Sequence, residues 1–156
     1  MRCRGFSFIE LVVTLGIVAL LAAITVPVAE VVVQRTKEQE LRRGLREIRN
    51  AIDAYKKAGD EGRIARAINS SGYPPTLEVL VRGVDDIKDP RKRKIYFLRL
   101  IPPDPMSRDL TAEPGETWEK RSYASSPETP TAGDDVFDIQ SRSTHQGLNG
   151  MAYNKW

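Results

Sequence analysis

The chain has 156 residues, with 24 Lys and Arg against 21 Asp and Glu for a net charge of +3. That leaves room for one modest domain and too little charge excess for nucleic acid to be an expected partner. One cysteine, Cys3, and one histidine, His145, exclude an internal disulfide, a cysteine metal site and the commoner nucleophile–base pairs; neither a nucleophile elbow nor a Gly-rich phosphate loop followed by lysine is present, so no enzyme is expected.

In chain order, a five-residue basic leader carrying Arg2 and Arg4 precedes a run without charge from Leu11 to Ala29. Those 19 residues come close to the roughly 20 that a helix needs to cross a bilayer. One carboxylate, Glu10, stands at the mouth of the run. Four readings compete. A secretory signal fits the basic leader, and Ala22-Ala23 imitates a cleavage site, but the run exceeds the roughly 7–15 residues of an apolar signal core. A plain membrane anchor explains the length but not Glu10, because an ionisable group costs about 2.5–3.5 kcal/mol at mid-bilayer. A buried helix of a soluble protein does not suit so long an uncharged stretch. The fourth reading is a prepilin-type N-terminus, in which Gly5-Phe6-Ser7-Phe8-Ile9-Glu10 is a processing site. Arg2 and Arg4 favour the cytoplasmic side, and Gly5 gives a peptidase close access to the backbone. On its own, Glu10 is also a carboxylate favoured by the dipole at a helix start.

Within the run, Gly16, Ala19, Ala22 and Ala23 permit close helix approach, and Pro27 removes a backbone hydrogen bond and is expected to kink the helix. Leu41, Leu45, Ile48, Ile52 and Tyr55 then recur at four, three, four and three, one face of an amphipathic helix. Glu38–Arg42 and Asp53–Lys57 are i,i+4 pairs for its polar face. Gly59 to Gly62 reads as the stop, so Phe6 to Ala58 would reach about 80 Å as one helix. Residues 63–71 suggest a short helical turn. Thr76 is the expected N-cap of a helix from Leu77 that Gly83 closes. The basic run Arg91-Lys92-Arg93-Lys94 sits beside Asp85, Asp86 and Asp89 and reads as a solvated loop. The apolar run from Ile95 to Ile101 reads as β-prone or helix-ending, and the alternating runs Thr117 to Ala124 and Asp135 to Ile139 read as half-buried strands. Trp118 and Trp156 read as core and seam fillers.

Gly5, Phe6 and Glu10 ahead of a long apolar helix resemble the N-terminus of the type IV pilin superfamily. Tyr73-Pro74-Pro75-Thr76-Leu77, Tyr96-Phe97-Leu98 before Pro102-Pro103-Asp104-Pro105, Trp118 with Arg121-Ser122-Tyr123, Asp135-Val136-Phe137 and Trp156 resemble the body of a major pseudopilin of type II secretion systems. The resemblance implies an α+β, pilin-like fold: a long N-terminal helix, membrane-spanning in its first half and amphipathic in its second, packed on a small antiparallel sheet. It implies a leader over residues 1–5, a transmembrane and fibre-core helix over 6–33, and a periplasmic domain over 34–156. It implies cleavage after Gly5 by prepilin peptidase, N-methylation of Phe6 and an assembly role for Glu10.

The implied partners are other copies of the chain, minor pseudopilins, the peptidase, an inner-membrane assembly platform and the lipid bilayer. The implied location is the inner membrane, single-pass with the N-terminus cytoplasmic, and then a periplasmic filament. Removing the leader leaves 22 basic and 21 acidic residues and no cysteine. That favours a pseudopilin over a type IV pilus subunit, which often carries a C-terminal disulfide. A membrane-anchored binding module is the third reading. Calcium is the cofactor the resemblance suggests, but a cage of six to eight oxygens needs acidic residues, and none follows Asp138. No cofactor is therefore expected, and some other contact must hold the C-terminal loop; His145 beside Asp138 or Glu128 is one candidate.

Overall fold

The computed structural model describes residues 5–68, 70–109 and 111–156, with the backbone alone for 24–27. Arg2, Cys3 and Arg4 lie outside the described residues, as does the side chain of Pro27. The architecture is α+β. A long N-terminal helix, α1 (Phe8–Asp60), is followed by α2 (Leu77–Arg82), β1 (Val84–Asp85), β2 (Lys94–Ile95), β3 (Trp118–Arg121) and β4 (Asp138–Ser141), with 3₁₀ turns at Pro114–Glu116 and Tyr153–Lys155. The chain divides into two units between Thr36 and Lys37.

The first unit is helical from Phe8 onward, and its large apolar side chains, among them Leu11, Leu15, Leu20, Val28 and Val32, are exposed. Two hydroxyls on this greasy surface bond back to the helix: Thr14 Oγ1 donates to the Leu11 carbonyl at 2.9 Å and Thr36 Oγ1 to that of Val32 at 3.1 Å.

The second unit is built on the stripe read from the sequence. Leu41, Leu45, Ile48 and Ile52 are buried, and they meet Leu77 and Leu80 of α2, Leu98, Trp118, Val136, Ile139 and Tyr153 in one core. Trp118 is fully buried and donates its indole N–H to the Pro102 carbonyl at 2.8 Å. Gly44 lets the ring come close: a Cβ there would lie 3.3 Å from it.

The strands form two separate two-stranded ladders, both antiparallel. β1 pairs with β2 as Val84↔Ile95 and Asp85↔Lys94. The loop expected around the basic run is therefore the connection of a hairpin. Its charges are used locally: Arg63 grips Asp86 at 2.6 Å and Asp89 takes Arg93 at 2.5 Å. Gly83 enters the hairpin at φ +72, where a Cβ would lie 2.9 Å from the Ile95 carbonyl oxygen. β3 pairs with β4 as Trp118↔Ser141, Glu119↔Gln140, Lys120↔Ile139 and Arg121↔Asp138.

Three local expectations need correction. Residues 63–71 form no helix among those described, only one turn closed by Ser70 N–H on the Ala67 carbonyl at 3.1 Å; Arg63 is committed to the hairpin through its side chain and through its carbonyl, which accepts Ile87 N–H at 2.8 Å. Only Ile95 of the apolar run 95–101 is a strand residue, because Phe97 and Leu98 both donate to the Leu80 carbonyl at the end of α2. Residues 135–137 stay outside β4: Asp135 accepts from Ser71, Ser122 and the Tyr123 N–H, while Val136 N–H is taken by Pro74. Such local side-chain bonds compete with a ladder. Thr76 is the N-cap of α2 and Gly83 its C-cap, as expected, though Thr76 makes no side-chain capping bond.

Two outcomes follow. Trp118→Ala should lower the stability of the body by about 3–5 kcal/mol, the usual cost of emptying a buried aromatic site, as read by urea unfolding. The hydrogen bonds from Arg63 hold the Asp86 carboxyl below its ordinary range. Its contribution to stability is therefore complete above about pH 4, the unfolded aspartate value, and is lost as pH falls through the lowered folded value. Asp86→Asn should flatten that part of the acid unfolding profile relative to wild type.

Candidate functional site: the head of helix α1 and the C-terminal clasp

α1 opens at the expected processing residues. Gly5, Phe6 and Ser7 precede it, and the Leu11 N–H donates to the Ser7 carbonyl at 3.1 Å, which makes Ser7 the N-cap. Glu10 then stands at the third helical position, in the first turn. Ser7-Phe8-Ile9-Glu10 has the S-x-x-E spacing of a capping box. That spacing was present in the sequence, beside the dipole argument for Glu10. Phe6 and Phe8 are about four-fifths exposed, at 78% and 82%, and Glu10 is exposed as well. A free amine made at Phe6 and the Glu10 carboxylate would both be open to another molecule. Gly16 has nothing within 4 Å of where a Cβ would stand, so its side of the helix is open to close approach. α1 is long and apolar enough to cross a membrane, and none of its most apolar window is buried.

At the other end of the chain, residues 143–156 fold against α1 through contacts that motif reading missed. Glu38, placed by the sequence reading on a polar face, is 6% exposed. Its Oε1 accepts the Leu148 N–H at 2.7 Å and the Tyr153 hydroxyl at 3.0 Å. Arg49 donates to Asp138 Oδ1 at 2.8 Å and to the carbonyl oxygens of Ile139 and Trp156, each at 3.0 Å. The Arg42 guanidinium stacks over the Trp156 ring at 4.4 Å. All three lie on the helix face adjoining the apolar stripe. The available signal was that Glu38, Arg42, Leu45 and Arg49 step by four, three and four along that side of the helix. His145 turns elsewhere than expected: its Nε2 accepts from Arg108 at 2.8 Å, and neither Asp138 nor Glu128 is its partner.

The residues do not fit a calcium cage. Asp138 is occupied by Arg49, Arg121 and the Ile139 N–H. Ser141 donates to the buried Asp104 at 2.6 Å. Burial pushes the Asp135 carboxyl up, but hydrogen bonds from Ser71, the Tyr123 N–H and Ser122 outweigh it and leave the group below its ordinary range. Carboxylates whose oxygens are filled by N–H and O–H donors are poor ligands for a hard cation. Among the described residues no three His, Cys, Asp or Glu gather as a metal site.

Residues 1–26 match the family model described as the prokaryotic N-terminal methylation motif. The match takes in the leader, Gly5, Phe6, Glu10 and most of the apolar run, and supports a type IV pilin-like prepilin signal. No curated protein and no solved structure matches the chain.

Arg49→Ala should loosen the ends of β4 and of the chain together, at a cost of about 1.5–3 kcal/mol for bonds donated by a charged group. Chemical denaturation gives the cost. Proton exchange should show the amides of residues 138–141 and 153–156 accelerated together.

Proposed function

We propose that the chain is a pseudopilin, a structural subunit cut after Gly5 by prepilin peptidase, methylated on the new Phe6 amine and polymerised through residues 6–33 into a periplasmic filament that drives protein export by type II secretion. The observation that carries this reading is the methylation motif over residues 1–26, joined to a helix whose apolar side chains are exposed beyond it. Motifs of this kind mark structural subunits, and nothing in the chain asks for an enzymatic role.

The chemistry follows from the head of α1. Before processing, the apolar run holds the chain in the inner membrane with Arg2 and Arg4 on the cytoplasmic side and the body in the periplasm. Cleavage creates an α-amino group whose ordinary pKa of about 7.7–8.0 keeps it mostly protonated near neutral pH. Glu10 supplies the opposite charge. In a packed fibre the amine of one copy and the carboxylate of the next satisfy each other where water is scarce and an unpaired charge is costly. Pairing across copies sets their axial register. Gly16 and the alanines let neighbouring helices close in. Pro27 is the point at which the helix would loosen as the filament forms. The remaining partners are minor pseudopilins and an inner-membrane platform that feeds subunits from the bilayer into the filament.

The absence of any cysteine after Cys3 favours the secretion filament over a type IV pilus for adhesion, motility or DNA uptake. A deletion strain separates the two: secreted proteins should disappear from the medium while surface fibres persist. Loss of fibres with secretion intact would assign the chain to a pilus. At the residue level, Gly5→Leu should leave the leader attached, visible in the intact mass. Glu10→Ala should be cut normally yet give at least tenfold less cross-linked filament, the effect of losing a charge pair worth about 1.4 kcal/mol or more. Normal assembly of Glu10→Ala would remove its assigned role.

A further inference from the structure

A buried carboxylate is costly unless donors satisfy it. Glu38 is such a group, two positions into the folded body, and the donors that reach it come from 110 and 115 residues further along the chain. The Leu148 N–H and the Tyr153 hydroxyl converge on one oxygen, Oε1. The segment that supplies them is shaped for the purpose. Gly147 N–H donates to the Met151 carbonyl at 2.9 Å, and Tyr153 N–H to that of His145 at 3.0 Å, which folds residues 145–153 back on themselves. Gly147 lies so close beneath the carboxylate that a Cβ there would stand 3.1 Å from Oε1 and 2.7 Å from the Trp156 ring. A side chain there would have to displace the Trp156 ring and crowd the carboxylate. Trp156 closes the far side, edge-on to Tyr153 at 5.2 Å and under Arg42.

We infer that Glu38 is a built-in lock for the C-terminal segment, an anion on α1 that fixes the loop without a metal. A calcium loop gathers oxygen acceptors around a cation. Here the polarity is inverted: a fixed carboxylate on a rigid helix gathers N–H and O–H donors from the loop. The charge that orders the loop is covalently part of the helix, so order in residues 145–156 does not depend on free divalent cations. The lock stands on these contacts whether the filament serves secretion or a pilus.

The test uses the full chain in detergent micelles. The melting temperature is measured with excess calcium chloride and with EDTA, and amide exchange at Leu148 is compared in wild type, Glu38→Ala and Tyr153→Phe. The melting temperature should be the same with calcium and with EDTA. Exchange at Leu148 should run about 10- to 100-fold faster in Glu38→Ala, the loss of a hydrogen bond to a charged acceptor, and about 3- to 10-fold faster in Tyr153→Phe, where only the neutral O–H donor is gone. If Glu38→Ala does not fold, Tyr153→Phe and the wild-type cation series still decide. A melting temperature that EDTA lowers and calcium restores would overturn the inference, as would an unchanged Leu148 exchange rate in every variant that folds.

Discussion

The exposed apolar surface of the first half of α1 is the constraint on which the rest of the structure depends. Leu11, Leu15, Leu20, Val28 and Val32 face outward from a single copy of the chain, and burying one such side chain is worth about 1.5–3 kcal/mol. So much uncovered apolar surface requires either lipid or other helices around it. With a carboxylate in its first turn and the methylation motif at its head, the same helix is suited to either surrounding. The body has to fold without using that surface, and it does so on the second half of the same helix.

The second half of α1 solves a different problem. Its stripe from Leu41 to Ile52 is the floor of a core completed by Trp118, Ile139, Leu77 and Leu80. With two short ladders among the described residues of the body, much of the remaining order comes from side chains that reach across long stretches of sequence. Arg63 holds the β1–β2 hairpin, Asp104 anchors Ser141, Asp135 ties together the loops at residues 71, 122 and 123, and Arg49 and Glu38 hold the end of the chain. A small body organised in this way fills its carboxylates with donors from the protein, and that is why a cation cage does not fit its C-terminal loop.

The large pattern was legible from the residues. An uncharged run of 19, the Gly5, Phe6 and Glu10 spacing and the helical period from Leu41 to Tyr55 each depend only on near neighbours in sequence, so they survive reading without a structure. The hairpin tip at Arg91 to Lys94 was harder. Its charges read as a solvated loop, because the contact that fixes the hairpin, Arg63 on Asp86, spans 23 residues of sequence. The runs 95–101 and 135–137 had strand-like residues but took their hydrogen bonds from the end of α2 and from the loop at Pro74, partners that local pattern does not name.

The sequence by itself therefore determined the membrane-length helix, the methylation motif at its head, the amphipathic half and the lack of a cysteine beyond Cys3, since each is a matter of composition or of spacing along one element. Only the tertiary structure decided that the strands form two ladders, that Glu38 is buried and that it grips Leu148 and Tyr153. The reason is physical. A carboxylate on a helix reads as solvated surface until a distant segment arrives with donors to replace the water, and that arrival is set by how the whole body closes on Trp118 and the α1 stripe.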